Sequence, residues 1–381
     1  MSFKSRRANE MLFHAYVPTR DADSLELRVC SSMGGPIEFM IDGHNRSIDS
    51  PSVSQGGLHF YRQTIEPLPS GTPFVIIVRH CQSGMEKAVE TSMLKLPSGR
   101  LKLKIGVLAD LHLPEHAVSI DRYSPGTRRF GGLASELGHK YIKRLVALGA
   151  DIIVLPGDLV EPCNRQTLSQ LQELMNSVSV PCYPIIGNHE PWSPNGAALF
   201  RDFLGLPSHG YYSACHGDCR LIMLDSPDPG ALANRSAQLR WLKSEIEKSG
   251  PHETIVIFSH FSLLLHPCVQ GHKNDGYQLL DNHRQILKTV EEFPNVRLFI
   301  AGHKNVPSVV VRNSIVHTLS PQLIQFPCGY DLFRVFDDGV MRTTYEIDEQ
   351  HYVELARTGY AHNWEERYGA ERGRNFFIEF T

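Results

Sequence analysis

The residues that could do chemistry in this chain are carboxylates, imidazoles and amides placed after short apolar runs. Lys104 to His112 reads KIGVLADLH, in which Ile105, Val107 and Leu108 suit a buried strand. Asp110 and His112 fall where that strand would end, the edge at which an open α/β sheet places its chemistry. Two residues apart on an extended or turning backbone, a carboxylate and an imidazole can aim at one point and hold a divalent cation. One pair proves little: with 19 His in the chain, roughly one D-x-H is expected by chance.

Four further segments repeat the arrangement in order. Pro156-Gly157-Asp158, Gly187-Asn188-His189-Glu190, Ser259-His260 and Gly302-His303-Lys304-Asn305 each close a predicted strand. A Gly-Asp turn or a lone His at a strand end is usually structural, but an ordered series of such ends points to a metal site. The donors are oxygen or imidazole nitrogen and none is thiolate, so Mn, Fe, Zn or Mg are admissible and copper(I) is disfavoured.

These segments resemble the calcineurin-like metallophosphoesterase superfamily, whose pattern is D-x-H, G-D, G-N-H-[DE], H and G-H-x-H; the match covers residues 103 to 347. The resemblance implies two divalent metal ions, with Asp158 bridging them, Asp110 and His112 on the first, and Asn188, His260 and His303 on the second. It implies hydrolysis of a phosphate ester, diester ahead of monoester, by metal-bound hydroxide. His189 would face the substrate as general acid and Glu190 would orient it.

Asn305 departs from the pattern by standing where the family has the second His of G-H-x-H. As a ligand of the first metal, an amide oxygen is harder and weaker than imidazole, so that site is expected to be looser and to favour Mn, Mg or Fe. The departure motivates the alternative reading, a catalytically weak metal-binding scaffold or ligand sensor on the same fold. Purple acid phosphatases share G-N-H-E behind a β-domain but carry D-x-G and a metal-binding Tyr where this chain has His112 and Glu161. LDSP at 224–227, Gln238 with Trp241-Leu242, and SPQL at 320–323 look more like the cyclic-nucleotide phosphodiesterase branch.

The elements that must position these residues divide the chain in three. Residues 1–98 hold short candidate strands at Leu25–Cys30, Ile37–Ile41, Leu58–Ile65, Phe74–His80 and Lys87–Leu96 between Gly/Pro/Ser-rich connections, an expected β-sandwich with Pro97-Ser98-Gly99 as linker. Residues 101–347 alternate strands with helices, Leu133–Leu148 and Gln166–Val178 first, as βαβ crossovers do. Helices at Ser236–Lys248 and Asp281–Phe293 follow, then strands at Val309–Val311, Ser314–Thr318, Tyr330–Phe336 and Val340–Glu346, expected to be antiparallel. The fold class is α/β: a two-sheet sandwich flanked by helices, with an N-terminal all-β sandwich. Residues 348–381 form a charged, aromatic tail expected to be helical, with Tyr352, Leu355 and Ala356 on one face.

Composition narrows the function further. A formal charge of −3 and a pI near 6.7 give no broad basic footprint, which speaks against nucleic acid as partner and lowers a nuclease reading. No apolar run approaches bilayer length, and the basic N-terminus lacks an apolar continuation, so a cytoplasmic location without membrane contact is expected. Scattered cysteines without a C-x-x-C pair fit buried thiols in a reducing compartment. The expected partner is a small-molecule phosphate ester, contacted by Arg128, Arg129 and His209, with His116 and Arg122 in the same long loop as the arginines. Any homo-oligomer would form through the N-terminal domain or the C-terminal tail.

Overall fold

The computed structural model describes residues 13–20, 24–41, 43–55, 57–66, 73–92, 94–95, 97–115, 129–226, 235–267, 279, 282–359 and 367–380. The first strands are β1 (Phe13–Arg20), β2 (Leu25–Ser31), β3 (Ile37–Ile41), β4 (His44–Ile48), β5 (Val53–Gln55), β6 (Leu58–Ile65), β7 (Pro73–His80) and β8 (Glu86–Ser92). Along β3, Ile37, Phe39 and Ile41 are buried and Glu38 is exposed, the period-two pattern of a strand with one wet face. Two four-stranded antiparallel sheets, β1-β2-β6-β5 and β4-β3-β7-β8, close on one core that includes Leu27, Val29, Phe39, Tyr61 and Ile76. The sequence reading misses β4 and β5 because their side chains are almost all exposed and show no apolar alternation. It also places the last strand of this part too far on; β8 ends at Ser92.

The following strands are β9 (Leu101–Val107), β10 (Leu113–Pro114), β11 (Ile152–Pro156), β12 (Val160–Glu161), β13 (Cys182–Ile185), β14 (Tyr212–His216), β15 (Cys219–Met223), β16 (Thr254–Ser259), β17 (Val296–Ala301), β18 (Ser308–Arg312), β19 (Ile315–Leu319), β20 (Gly329–Phe336), β21 (Gly339–Glu346) and β22 (Asn375–Glu379). Twelve of them build two six-stranded sheets, β13-β11-β9-β20-β21-β22 and β14-β15-β16-β17-β19-β18, and β10 pairs with β12 in a two-stranded sheet. Alternation decides which side chains meet where. Ile152 and Val154 of β11 and Val256 and Phe258 of β16 join the core between the sheets. Ile153 and Leu155 face one helical layer, and Ile255 and Ile257 face the other.

Those layers are formed by α1 (Ala134–Ala147), α2 (Arg165–Asn176), α3 (Gly196–Phe203), α4 (Arg235–Glu247) and α5 (His283–Val290). α2 begins in a reciprocal cap, the Asn164 side chain accepting from the Thr167 amide while the Thr167 hydroxyl accepts from the Asn164 amide. The late strands are antiparallel as expected in β18, β20 and β21, but β19 runs parallel to β17, with Leu298 opposite Val316. No helix among the described residues is long and apolar enough to cross a membrane.

The tail is not purely helical. After α6 (Gln350–Thr358) and the short helix Glu371–Arg374, the chain adds β22 antiparallel to β21 at the edge of the first sheet. Asn375, Phe376 and Phe377 find partners there, which the charged composition of the tail conceals. Beneath this edge Arg342 is fully buried: it pairs with both oxygens of Asp331 at 3.0 and 2.7 Å and donates to the carbonyls of Ser308, Leu319 and Gly373. Arg28, also buried, ties the N-terminal sandwich to the Glu346 carboxylate and the Ile347 carbonyl. Breaking a buried pair on one side strands the other charge. Arg342→Met should therefore lower unfolding free energy by about 3–5 kcal/mol in urea denaturation; a loss below about 1 kcal/mol would mean Asp331 is solvated by other means.

Candidate metal centre

Parallel β9, β11, β13, β16 and β17 end at the same edge of the sandwich, and each delivers part of one cluster. Asp110 and His112 follow β9, Asp158 follows β11, Asn188 and His189 follow β13, His260 follows β16, and His303 and Asn305 follow β17. The backbone turns sharply to aim them. Asp110, His112, Asp158, His303 and Asn305 have φ of 53°, 46°, 52°, 67° and 59°, a left-handed conformation that non-glycine residues adopt at a cost and keep where the surroundings force it. Glycine is required where chains approach: a Cβ on Gly187 would lie 2.2 Å from Asp158 Oδ1, and one on Gly157 would lie 2.4 Å from His260 Nδ1.

Asp158 is the centre. Its Oδ2 lies 3.2 Å from His260 Nε2, 3.7 Å from His189 Nε2 and 3.9 Å from His112 Nε2, while Oδ1 accepts the His189 amide at 2.8 Å. Two groups of ligand atoms fall within 4.8 Å of one another, His112–Asp158–His189 and Asp158–His260–His303, so the carboxylate is common to both. Asn188 Oδ1 is 3.0 Å from His260 Nε2, and Asp110 Oδ2 accepts the His303 amide at 3.0 Å.

The electrostatics follow from burial. Burial pushes the Asp110 carboxyl up, and the Asp158 charge adds to this against His260. Burial acts on Asp158 in the same sense, but His260, His112 and His189 outweigh it and hold its carboxyl well below the usual range. Burial would lower His260, yet Asp158 and Asp110 reverse that and bring its imidazole to about 9, whereas His112 falls to about 4. Positive charge is thus drawn to the carboxylates from whatever source is at hand, which is what a cation supplies.

A carboxylate outside the sequence motifs orders two of the imidazoles. Glu161 Oε2 lies 2.8 Å from His112 Nδ1 and 3.0 Å from His189 Nδ1, and it accepts from Arg129 Nη1 at 3.1 Å. His112 Nδ1 is hydrogen-bonded to Glu161 and His189 Nδ1 faces the same oxygen, and both Nε2 atoms lie towards Asp158. Parallel pairing of β12 with β10, Pro114 opposite Glu161, brings this residue beside His112; its spacing from Asp158 was the only sequence signal. Glu190, expected to orient His189, has a different task. Fully buried, it accepts the amides of Leu159, Val160 and Gly187 and fastens the loop after β13 to the loop after β11, because side-chain oxygens at that depth must satisfy backbone donors. Trp192, also missed, packs against His189 with ring centroids 3.8 Å apart and planes tilted by 40°.

The residues present fit divalent cations. His112 Nε2 and Asn305 Oδ1 are buried without a hydrogen-bond partner, and His260 Nδ1 donates to the Pro156 carbonyl at 2.8 Å, which leaves its Nε2 for the cluster. Of the expected substrate contacts, Arg128 lies outside the described residues, as do His116 and Arg122. Arg129 sits at the cluster but spends its Nη1 on Glu161 and His112. His209 is exposed and stacks on Tyr211, which packs on Trp241.

Comparison with known proteins places the chain among phosphoesterases. The calcineurin-like phosphoesterase family model matches residues 103–307. A 3',5'-cyclic-nucleotide phosphodiesterase of Nostoc sp. is 22% identical over 268 residues, 65% of this chain and 93% of that protein. A glycerophosphodiester phosphodiesterase of Enterobacter lignolyticus is 24% identical over 200 residues, 49% of this chain and 68% of that protein. A dimetal phosphatase from Danio rerio shares the fold with a TM-score of 0.53 at 17% identity, over 65% of this chain and 98% of that chain.

Two outcomes are expected of this geometry. Asp158→Asn, by weakening the one group common to both ligand sets, should strip most of the metal while the metal-free protein melts within a few degrees of wild type; full metal content in the variant would contradict the assignment. Asn305→His should tighten the first site and move its preference towards zinc, read as metal content after loading at limiting metal. Unchanged stoichiometry and selectivity would put Asn305 outside the coordination shell.

Proposed function

The chain belongs to the calcineurin-like phosphoesterase family, and from that premise we propose that this phosphoric ester hydrolase cleaves a small-molecule phosphodiester with His189 as proton donor. The observation that carries the reading is the Asp158 carboxylate, whose Oδ2 lies 3.2 Å from His260 Nε2, 3.9 Å from His112 Nε2 and 3.7 Å from His189 Nε2, with His189 read as the proton donor rather than as a ligand. When bound, two divalent cations supply Lewis acidity, neutralising phosphoryl charge and acidifying water. Asp110, His112, Asp158, Asn188, His260, His303 and Asn305 would hold them.

The protein's own groups then have separate tasks. His189, its Nδ1 3.0 Å from Glu161 Oε2 and its Nε2 3.7 Å from Asp158 Oδ2, gives a proton to the departing oxygen. Glu161 stays ionised to do this, because His112 and His189 outweigh its partial burial and hold its carboxyl well below the usual range. Glu190 fastens the loop after β13 to the loop after β11, and Gly157 and Gly187 leave room for His260 and Asp158. Diester is favoured over monoester because both sequence relatives described above are named phosphodiesterases.

A second reading, a binding scaffold with weak turnover, draws on Asn305, whose amide replaces an imidazole. Turnover separates the two. Protein loaded with Mn, Fe, Zn or Mg should cleave bis(p-nitrophenyl) phosphate faster than p-nitrophenyl phosphate; inactivity with every metal on both would favour the scaffold. His189→Ala should retain metal yet lose about 10²–10⁴-fold in kcat/KM on a diester with an alkyl leaving group, and far less when p-nitrophenolate departs. Equal losses would remove His189 from the proton-donor role.

A further inference from the structure

Trp192 is 63% exposed, although a side chain of its size ordinarily gains from burial. Lone exposed hydrophobics are common and carry no meaning by themselves. This one is fixed to the cluster. Its ring centroid lies 3.8 Å from that of His189 at 40°, and the His189 ring in turn meets the His112 ring in a T-shaped contact at 4.5 Å and 85°. Trp192 closes the 3₁₀ turn Glu190–Trp192, whose N-cap is His189, and the Trp192 amide donates to the His189 carbonyl at 3.2 Å. Pro191 stiffens the turn and Glu190 anchors it through backbone amides. The indole is therefore held in place without being needed to fill a core.

We infer that Trp192 determines leaving-group specificity: its indole stacks on a flat aromatic group carried by the departing oxygen of the phosphate ester. The inference rests on the phosphoesterase reading above. An oxygen that takes a proton from His189 Nε2 lies near the plane of that imidazole, and the group it carries must run outwards, since Asp158 and the strand ends close the inner side. The indole sits against that imidazole at 40°, is larger and is mostly exposed, so it offers accessible aromatic surface beside the proton donor. Stacking of an aromatic ring there should favour flat over puckered groups about tenfold.

Binding to the Mn-loaded full chain, measured by calorimetry with phenylphosphonate and cyclohexylphosphonate, tests this without turnover. The two probes share charge and approximate size and differ in flatness. Wild type should bind the phenyl compound about tenfold more tightly. Trp192→Ala should bind both with the affinity wild type has for the cyclohexyl compound, and Trp192→Phe should restore the preference, with equal Mn content in all three. Preference retained in Trp192→Ala, loss of both ligands in that variant, or parity in wild type would overturn the inference and leave the phosphoesterase reading standing. Failure of wild type to bind either phosphonate would overturn both.

Discussion

A carboxylate at 2% exposure among packed strands stays charged only if positive charge is brought to it, and the architecture around Asp158 is a means of doing so. Five strand ends converge on one edge, five non-glycine residues accept left-handed backbone, and glycines vacate the space that a Cβ would take. Each of these costs stability. The sandwich offsets it with two apolar cores flanking the strands and a third between the sheets, in which a buried Leu, Ile or Val contributes about 1.5–3 kcal/mol. The result is a rigid edge whose ligand atoms point inward before any cation arrives.

Two buried arginines elsewhere in the molecule are handled differently. Arg342 is as deeply buried as His260, yet Asp331 and three carbonyls meet it from within the protein. Arg28 is met by Glu26, Glu346 and the Ile347 carbonyl. These are closed ion pairs that lock the N-terminal sandwich and the C-terminal strand to the catalytic sheets. At the cluster, by comparison, His112 Nε2 stays unmet, as does Asn305 Oδ1 two residues after His303, and the carboxylates draw on imidazoles instead. Closed pairs hold the fold together; the open set is where a ligand belongs.

Much of this was legible in the sequence because the strands that carry the ligands are short apolar runs, buried on both faces, with the chemistry placed directly after them. KIGVLADLH and IIVLPGD announce both strand and ligand, and residues 103–307 are matched by the family model. What was hidden depends on tertiary pairing. Glu161 looks like any solvated glutamate until β12 lies beside β10, and Trp192 like any surface aromatic until the turn folds it over His189. β4 is exposed along nearly its whole length, and β22 comes from a charged tail whose partner, β21, supplies the edge. In each case the neighbour, rather than the local pattern, makes the structure.

The account stands on Asp158 being shared between two cations, and anomalous diffraction from crystals of the Mn-loaded protein measures that directly. Two peaks should appear on either side of the Asp158 carboxylate, about 3.5–4 Å apart, one beside Asp110, His112 and Asn305 and the other beside Asn188, His260 and His303. A single peak, or two that do not have Asp158 between them, would contradict it.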